Sequence, residues 1–309
     1  MELNENADLD TSQVEDARGA GGGGGGFGGL PIPIGGGGMG LIVTIVVVVI
    51  GLLVGGGTLG RSMLGGGGSS GQGDNSSLAQ RCATSNPDRF KNTDCRNLLY
   101  VNSIQAYWQT ALPQTFGKQY TQAPTHFFSS NVTTACGQAD SGVGPFYCPG
   151  DKKVYIDLSF YDELSSRFGA KGEFAQPYVL AHEYGHHVQN LLGTEAQMRR
   201  AQQRDPNNAN AYSVKLELQA DCYAGVWTNH ATQTRNAKGQ ALFTSVTDSD
   251  VRQALDAAAA VGDDAIQKKM GGGVDESKFT HGSSADRQRW FNQGYSSGDA
   301  RACDTFGNG

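Results

Sequence analysis

The spacing of apolar residues predicts helices in the C-terminal three-quarters of the chain. Apolar side chains recur every three to four positions in residues 97–116, 173–193 and 213–231. Residues 153–158 instead alternate and are rich in β-branched side chains, which favours a strand. A further helix is expected just after residue 283, where serine can cap its first turn. The pattern predicts an α+β domain that is mostly helical and contains a short sheet.

A nearly unbroken aliphatic run at residues 41–54 departs from these patterns. It is shorter than the roughly 20 residues that cross a bilayer, but its uncharged, glycine-rich flanks extend it to residues 39–57. A buried core helix and a cleaved signal peptide are the alternatives. The run lacks the polar stripe of the first and the basic beginning of the second. We therefore expect one transmembrane helix at residues 39–57.

Composition divides the rest of the chain. Of its 309 residues 45 are glycine, and more than half of these lie between Gly19 and Gly73. Residues 1–38 are acidic and glycine-rich and are expected to be a disordered tail, while residues 58–77 should form a flexible linker. Residues 78–309 should form the folded domain, which is almost neutral and has no basic cluster. That charge distribution excludes a typical nucleic-acid-binding protein.

All six cysteines follow the apolar run. An even number suggests three disulfides and an oxidising compartment, and the alternative is a cytosolic domain with buried thiols. Pairing of sequence neighbours, one of fifteen connectivities, gives the bridges Cys82–Cys95, Cys136–Cys148 and Cys222–Cys303. One arginine lies on each side of the apolar run, so charge does not orient it. From the cysteines we expect a single-pass cell-membrane protein with a cytoplasmic N-terminus and an extracytoplasmic domain.

The strongest chemical signal is His182-Glu183-Tyr184-Gly185-His186. Two histidines four residues apart lie on one helical face and can bind one zinc ion together. Glu183 is the candidate general base for a water held at that ion. His187 is turned away from this face and is expected to be a packing or surface residue.

A second acidic pair supplies a candidate third ligand. Glu217 and Asp221 are also four residues apart, on a predicted helix whose other positions are largely apolar. Glu217 would complete a two-histidine, one-glutamate zinc site, and Asp221 would accept a hydrogen bond from a ligand histidine. The alternative is an exposed acidic pair on an amphipathic helix. His281 is a candidate for stabilising a developing oxyanion, with a capping or structural role as its alternative.

Several long strings resemble the bacterial neutral zinc metallopeptidase family. They include HEYGHHVQNLLG, ELQADCYAGVW and FTHGSSADRQRWFNQGY, together with VEDARG near the N-terminus. The resemblance implies a zincin-like peptidase domain in which His182, His186 and Glu217 bind one Zn²⁺ and Glu183 is the catalytic base. In zincins an edge strand before the active-site helix pairs with the substrate, and residues 153–158 are the candidate by position.

Two functions follow from these observations. The first is a membrane-anchored zinc endopeptidase whose partner is a peptide or protein substrate. The second is a zinc-stabilised extracytoplasmic binding or scaffold domain with little or no proteolytic activity. Glu183 favours the first, because a purely structural zinc site has no use for a base beside its ligand.

Overall fold

The computed structural model describes residues 1–18 and 75–307, which form a mostly helical α+β fold. Its α-helices, numbered along the chain, are α1 Ser76–Arg81, α2 Thr93–Phe116, α3 Phe160–Ser166, α4 Ala175–Leu192, α5 Thr194–Arg204, α6 Ala209–His230, α7 Asp248–Ala260, α8 Asp263–Lys269 and α9 Ser284–Ser297. Its strands are β1 Glu2–Leu3, β2 Val14–Asp16, β3 Thr125–Phe128, β4 Asn131–Thr134, β5 Gly137–Asp140, β6 Phe146–Cys148, β7 Lys153–Asp157 and β8 Phe243–Ser245. The predicted helices correspond to α2, α4, α6 and α9.

The main sheet has four strands in the order β2-β3-β7-β6. The first three run parallel, and β6 pairs antiparallel with β7. The strand expected at residues 153–158 is therefore present, but its expected position at the sheet edge is wrong. Val154, Tyr155 and Ile156 are all buried, which is expected of a strand that is covered on both faces and paired on both sides. The edge strand on that side is β6.

Close helix crossings depend on glycine. A Cβ atom at Gly185 on α4 would lie 3.0 Å from the backbone of Ala220 on α6. At Gly294 on α9 it would lie only 1.9 Å from the carbonyl oxygen of Cys222, also on α6. These contacts let α4 and α9 pack directly against the backbone of α6. Helix α6 is consequently the central helix of the domain.

All six cysteines are paired as predicted. Disulfides join Cys82 to Cys95, Cys136 to Cys148 and Cys222 to Cys303, and the described chain has no free cysteine. The third bridge spans 81 residues and ties α6 to the C-terminal turn. Gln219 reinforces this link by donating a hydrogen bond from Nε2 to the carbonyl of Cys303, at 2.9 Å.

The expectation of disorder is wrong for residues 1–18. Strand β1 pairs with β8, strand β2 pairs with β3, and both Ala7 and Val14 are fully buried. This segment has few apolar residues, but its backbone hydrogen-bonds to strands of the domain. Amino-acid composition does not predict this ordering, because strands can pair through backbone hydrogen bonds with only a few buried side chains.

The predicted transmembrane helix at residues 39–57 lies outside the described residues, as does most of the linker at residues 58–77. Within residues 1–18 and 75–307, no helix has the length and apolar character needed to span a bilayer.

Candidate zinc site and active-site cleft

Helices α4 and α6 bring the three predicted ligands together. His182 Nε2 lies 3.2 Å from Glu217 Oε2, and His186 Nε2 lies 3.5 Å from Glu217 Oε1. One potential ligand atom from each of the three residues lies within 4.8 Å of the other two. Residues from two helices, more than thirty positions apart, thus form one compact cluster.

The cluster fits a tetrahedral zinc ion. Ligand atoms about 2.0–2.1 Å from zinc are separated from each other by about 3.4 Å in tetrahedral geometry. The two imidazole-to-carboxylate distances, 3.2 and 3.5 Å, lie on either side of that value. Two neutral imidazoles and one carboxylate are also a donor set that zinc commonly takes.

The other ring nitrogen of each histidine is already engaged. His182 Nδ1 lies 2.8 Å from Asp221 Oδ1, and His186 Nδ1 lies 2.9 Å from Gln189 Oε1. When each Nδ1 donates to its oxygen, the lone pair of each Nε2 points toward Glu217. Such hydrogen bonds fix the tautomer and the orientation of a metal-binding imidazole. Asp221 therefore occupies the position predicted for it.

Asp221 is itself held by two buried side chains. Tyr178 donates its hydroxyl hydrogen bond to Oδ1 at 2.6 Å, and Arg287 donates from Nε to Oδ2 at 2.8 Å and from Nη2 to Oδ1 at 3.0 Å. Burial alone would raise the pKa of Asp221. The charges of Arg287 and His182 outweigh burial and lower the pKa to about 2. Asp221 is consequently an anion that orients His182.

Sequence reasoning missed three residues that support the cluster. Tyr178 precedes His182 by one helical turn, and Gln189 follows His186 by three residues, so helical spacing alone identifies both as neighbours. No such spacing in the sequence identifies Arg287. Its neighbour Arg289 has the same residue type on the same helix but is exposed, and only the fold distinguishes the two.

Glu183 faces a cleft of about 1060 Å³ that also contains the three candidate ligands. Its side chain is buried and makes no side-chain hydrogen bond with any described residue. Burial raises the pKa of Glu183, whereas the pKa of Glu217 is lowered because the nearby His186 and His182 outweigh its burial. Two carboxyls with opposite pKa shifts in one cleft suit different roles, one as an anionic ligand and one as a base.

His281 lies in the same cleft, on the loop before α9. Its Nδ1 lies 3.0 Å from Asp263 Oδ1, while the backbone amides of Thr280, His281 and Gly282 donate to Asp263 Oδ2 at 2.7–3.0 Å. Its buried Nε2 has no hydrogen-bond partner in the described chain. Ser283, not His281, caps α9, so the capping alternative for His281 is wrong.

His187 lies apart from the cluster, as expected. It is fully buried, with Nδ1 3.0 Å from the hydroxyl of Tyr147 and Nε2 2.7 Å from the carbonyl oxygen of Thr121. Burial lowers its pKa to about 4, so it is neutral at ordinary pH. It connects α4 to the edge strand β6, of which Phe146 and Tyr147 line the cleft.

Comparison with known proteins places the chain in a family. A family model described as "Putative neutral zinc metallopeptidase" matches residues 4–306. An uncharacterized protein of Mycobacterium tuberculosis is 46% identical over 231 residues, which cover 74% of this chain and 75% of that protein. The uncharacterized protein YpfJ of Escherichia coli is 46% identical over 195 residues, which cover 63% of this chain and 65% of its own length. No solved structure gave a significant match. The match to this family model over residues 4–306 places the chain in the neutral zinc metallopeptidase family.

Proposed function

We propose that this protein is a zinc-dependent endopeptidase. The observation that carries the proposal is the cluster of His182, His186 and Glu217 in an open cleft, with the unpaired carboxylate of Glu183 beside it. The family implies zinc, and the donor set fits that ion. A zinc ion held there would polarise a peptide carbonyl and make a water molecule more acidic.

Glu183 performs the proton transfers in this proposal. Its carboxylate takes a proton from the attacking water and passes it to the nitrogen of the leaving amine. A raised pKa suits this work, because the group must both accept a proton and release it near neutral pH. Asp221 and Arg287 do not touch the substrate in this scheme; they hold His182 in place.

His281 stabilises the negative charge that develops on the carbonyl oxygen. With Nδ1 beside Asp263 on one side of the ring, Nε2 is the atom that would donate to the carbonyl oxygen. The unpartnered Nε2 supports this role, since a buried polar atom normally has a hydrogen-bond partner. Substrate would supply the missing one.

An extended peptide would bind along β6. The outer edge of this strand has no partner strand in the described ranges, and Phe146 and Tyr147 line the cleft. Main-chain hydrogen bonds to such an edge hold a peptide without requiring a particular sequence. β6 takes the place that the sequence suggested for residues 153–158.

We also propose that the domain works outside the cytoplasm and that residues 39–57 attach it to the cell membrane. The three disulfides support an oxidising compartment. The uncharged aliphatic run supports membrane attachment.

The scaffold alternative predicts a closed zinc site. Structural zinc sites almost always have four protein ligands. Among the described residues, the group formed by His182, His186 and Glu217 contains only three ligands, and it opens into the cleft. This arrangement favours catalysis over a purely structural ion.

The test uses the purified full-length protein loaded with zinc and a diverse peptide mixture. Mass spectrometry of new amino termini should reveal cleavage by the wild type. The Glu183→Gln variant should retain zinc and lose activity by roughly 100-fold or more. Equal cleavage by the two proteins would exclude Glu183 as the base. Absence of cleavage by either, with zinc bound, would favour the scaffold function.

A further inference from the structure

Residues 1–18, here called the N-terminal segment, complete the main sheet. Strand β2 pairs in parallel with β3, aligning Glu15 with His126, and the amide of Ala17 donates to the carbonyl of Phe127 at 2.9 Å. Without this segment the sheet would have three strands, and β3 would be an edge strand paired only with β7. Val14 is fully buried against the domain core.

A buried arginine of the domain depends on the same segment. Arg89 is 1% exposed and donates from Nη2 to the carbonyls of Asn4, Glu5 and Ala7, at 2.8–3.2 Å. A buried charge without hydrogen-bond partners is costly. Most of the hydrogen bonds of the buried Arg89 side chain are therefore made to the N-terminal segment.

Ion pairs hold the end of the segment. Arg18 Nη2 lies 2.7 Å from Asp16 Oδ2 and 2.8 Å from Asp94 Oδ2, and Arg81 Nη2 lies 2.8 Å from that same oxygen of Asp94. The carboxyl groups of Asp16 and Asp94 are 9% and 8% exposed. The two carboxylates are thus largely buried, while Arg18 and Arg81 are 26% and 40% exposed, so the network retains more of its strength than a fully exposed pair.

Asn75, the first described residue after residues 19–74, is hydrogen-bonded to the N-terminal segment. Asn75 Oδ1 accepts a hydrogen bond from the amide of Asp16 at 3.1 Å, and its Nδ2 donates to the carbonyls of Val14 and Thr11 at 2.6 and 3.1 Å. The described residues that flank residues 19–74 therefore lie close to each other.

We propose that the N-terminal segment is an integral part of the folded domain and lies on the same side of the membrane as residues 75–307. A single crossing of the bilayer by residues 39–57 would put the two on opposite sides and break every contact described above. This topology differs from the one expected from the sequence, in which the N-terminus is cytoplasmic and the domain is extracytoplasmic. It does not depend on the zinc site.

Accessibility to a membrane-impermeant maleimide tests this topology in intact cells that produce the full chain. Glu5→Cys and Gln109→Cys place one thiol each at an exposed position, in the segment and in the domain respectively. The six native cysteines are paired, so only the new thiol reacts. We expect both variants to label to the same extent before lysis, whether that extent is full or nil. Labelling of one before lysis and of the other only after lysis would overturn the proposal.

Hydrogen exchange on the unaltered protein gives a second test that needs no variant. The amides of Asp10 and Ala17 donate to Asn102 Oδ1 and to the Phe127 carbonyl, at 2.7 and 2.9 Å. Peptides from residues 1–18 should therefore exchange far more slowly than an unstructured chain. Exchange at the unstructured rate would show that the segment is not docked, whatever the activity of the zinc site.

Discussion

The two candidate imidazole ligands are oriented by different kinds of partner. His182 contacts a buried, charged carboxylate, Asp221, whereas His186 contacts the neutral amide of Gln189 on its own helix. Arg287 balances the charge of Asp221. The site thereby fixes both rings while adding little net charge beyond the ligands themselves.

Removal of Arg287 should destabilise the protein strongly. Arg287→Met removes the guanidinium that donates two hydrogen bonds to the fully buried Asp221 carboxylate, and we expect a loss of about 3–5 kcal/mol in the free energy of unfolding. Arg289→Met, two residues along the same helix, removes only an exposed ion pair and should change little. Denaturant unfolding of the metal-free proteins measures both. Equal losses of stability would show that the buried Arg287–Asp221 pair contributes no more than the exposed ion pair of Arg289.

Gln189 should affect zinc binding rather than catalysis directly. Gln189→Leu removes the acceptor of His186 Nδ1, and we expect zinc affinity to fall roughly 10- to 100-fold. Gln109→Leu, on the exposed face of α2, is the control. Competition with a chelating dye gives the affinities. An unchanged affinity in Gln189→Leu would mean that this hydrogen bond does not orient the ligand.

Among the elements, the two helices that form the site were predictable because their signals are local. The apolar period of α4 and α6, and the spacing of their histidines and acidic residues, lie within single turns. The packing of α9 on α6 has no such local signal. Nor has the position of β7, since it becomes an inner strand by pairing with β3 as well as with its hairpin partner β6. Contacts between distant parts of the chain therefore account for what the sequence did not predict.

The close crossing of α6 and α9 depends on two glycines, Gly225 on α6 and Gly294 on α9. A methyl group at Gly294 would meet the carbonyl oxygen of Cys222 at 1.9 Å, so Gly294→Ala must push the two helices apart. We expect a loss of about 1–3 kcal/mol in stability, measured by thermal or denaturant unfolding. Gly273→Ala, where a Cβ meets nothing within 4 Å, serves as the control. A stability loss no greater than that of the control would contradict the close crossing.

At the scale of the whole molecule, contacts far apart in sequence join its two ends to the central helices. The N-terminal segment completes the sheet, and the C-terminal turn is bound to α6 by a disulfide next to Asp221. The family model likewise extends over residues 4–306, so it includes both ends. The zinc site therefore lies within a domain to which nearly the whole described chain contributes.

The three disulfides should not contribute equally. Loss of chain entropy on cross-linking grows with loop length, so removing Cys222–Cys303, which spans 81 residues, should cost about 4–5 kcal/mol. Removing Cys136–Cys148, which spans 12 residues, should cost about 3 kcal/mol. Paired Cys→Ser variants compared by denaturant unfolding without metal measure the difference. The reverse order would show that the long bridge does not constrain the unfolded chain in this way.

The central claim is that His182, His186 and Glu217 together bind one zinc ion, and zinc content with X-ray absorption measures it most directly. We expect one zinc per chain, with imidazole nitrogen and carboxylate oxygen around it and no sulfur, since the cysteines are paired. Glu217→Gln should weaken binding by more than about 100-fold, beyond the effect of an outer hydrogen bond, while Glu163→Gln on α3 leaves it unchanged. No zinc, sulfur ligation, or full affinity in Glu217→Gln would contradict the account.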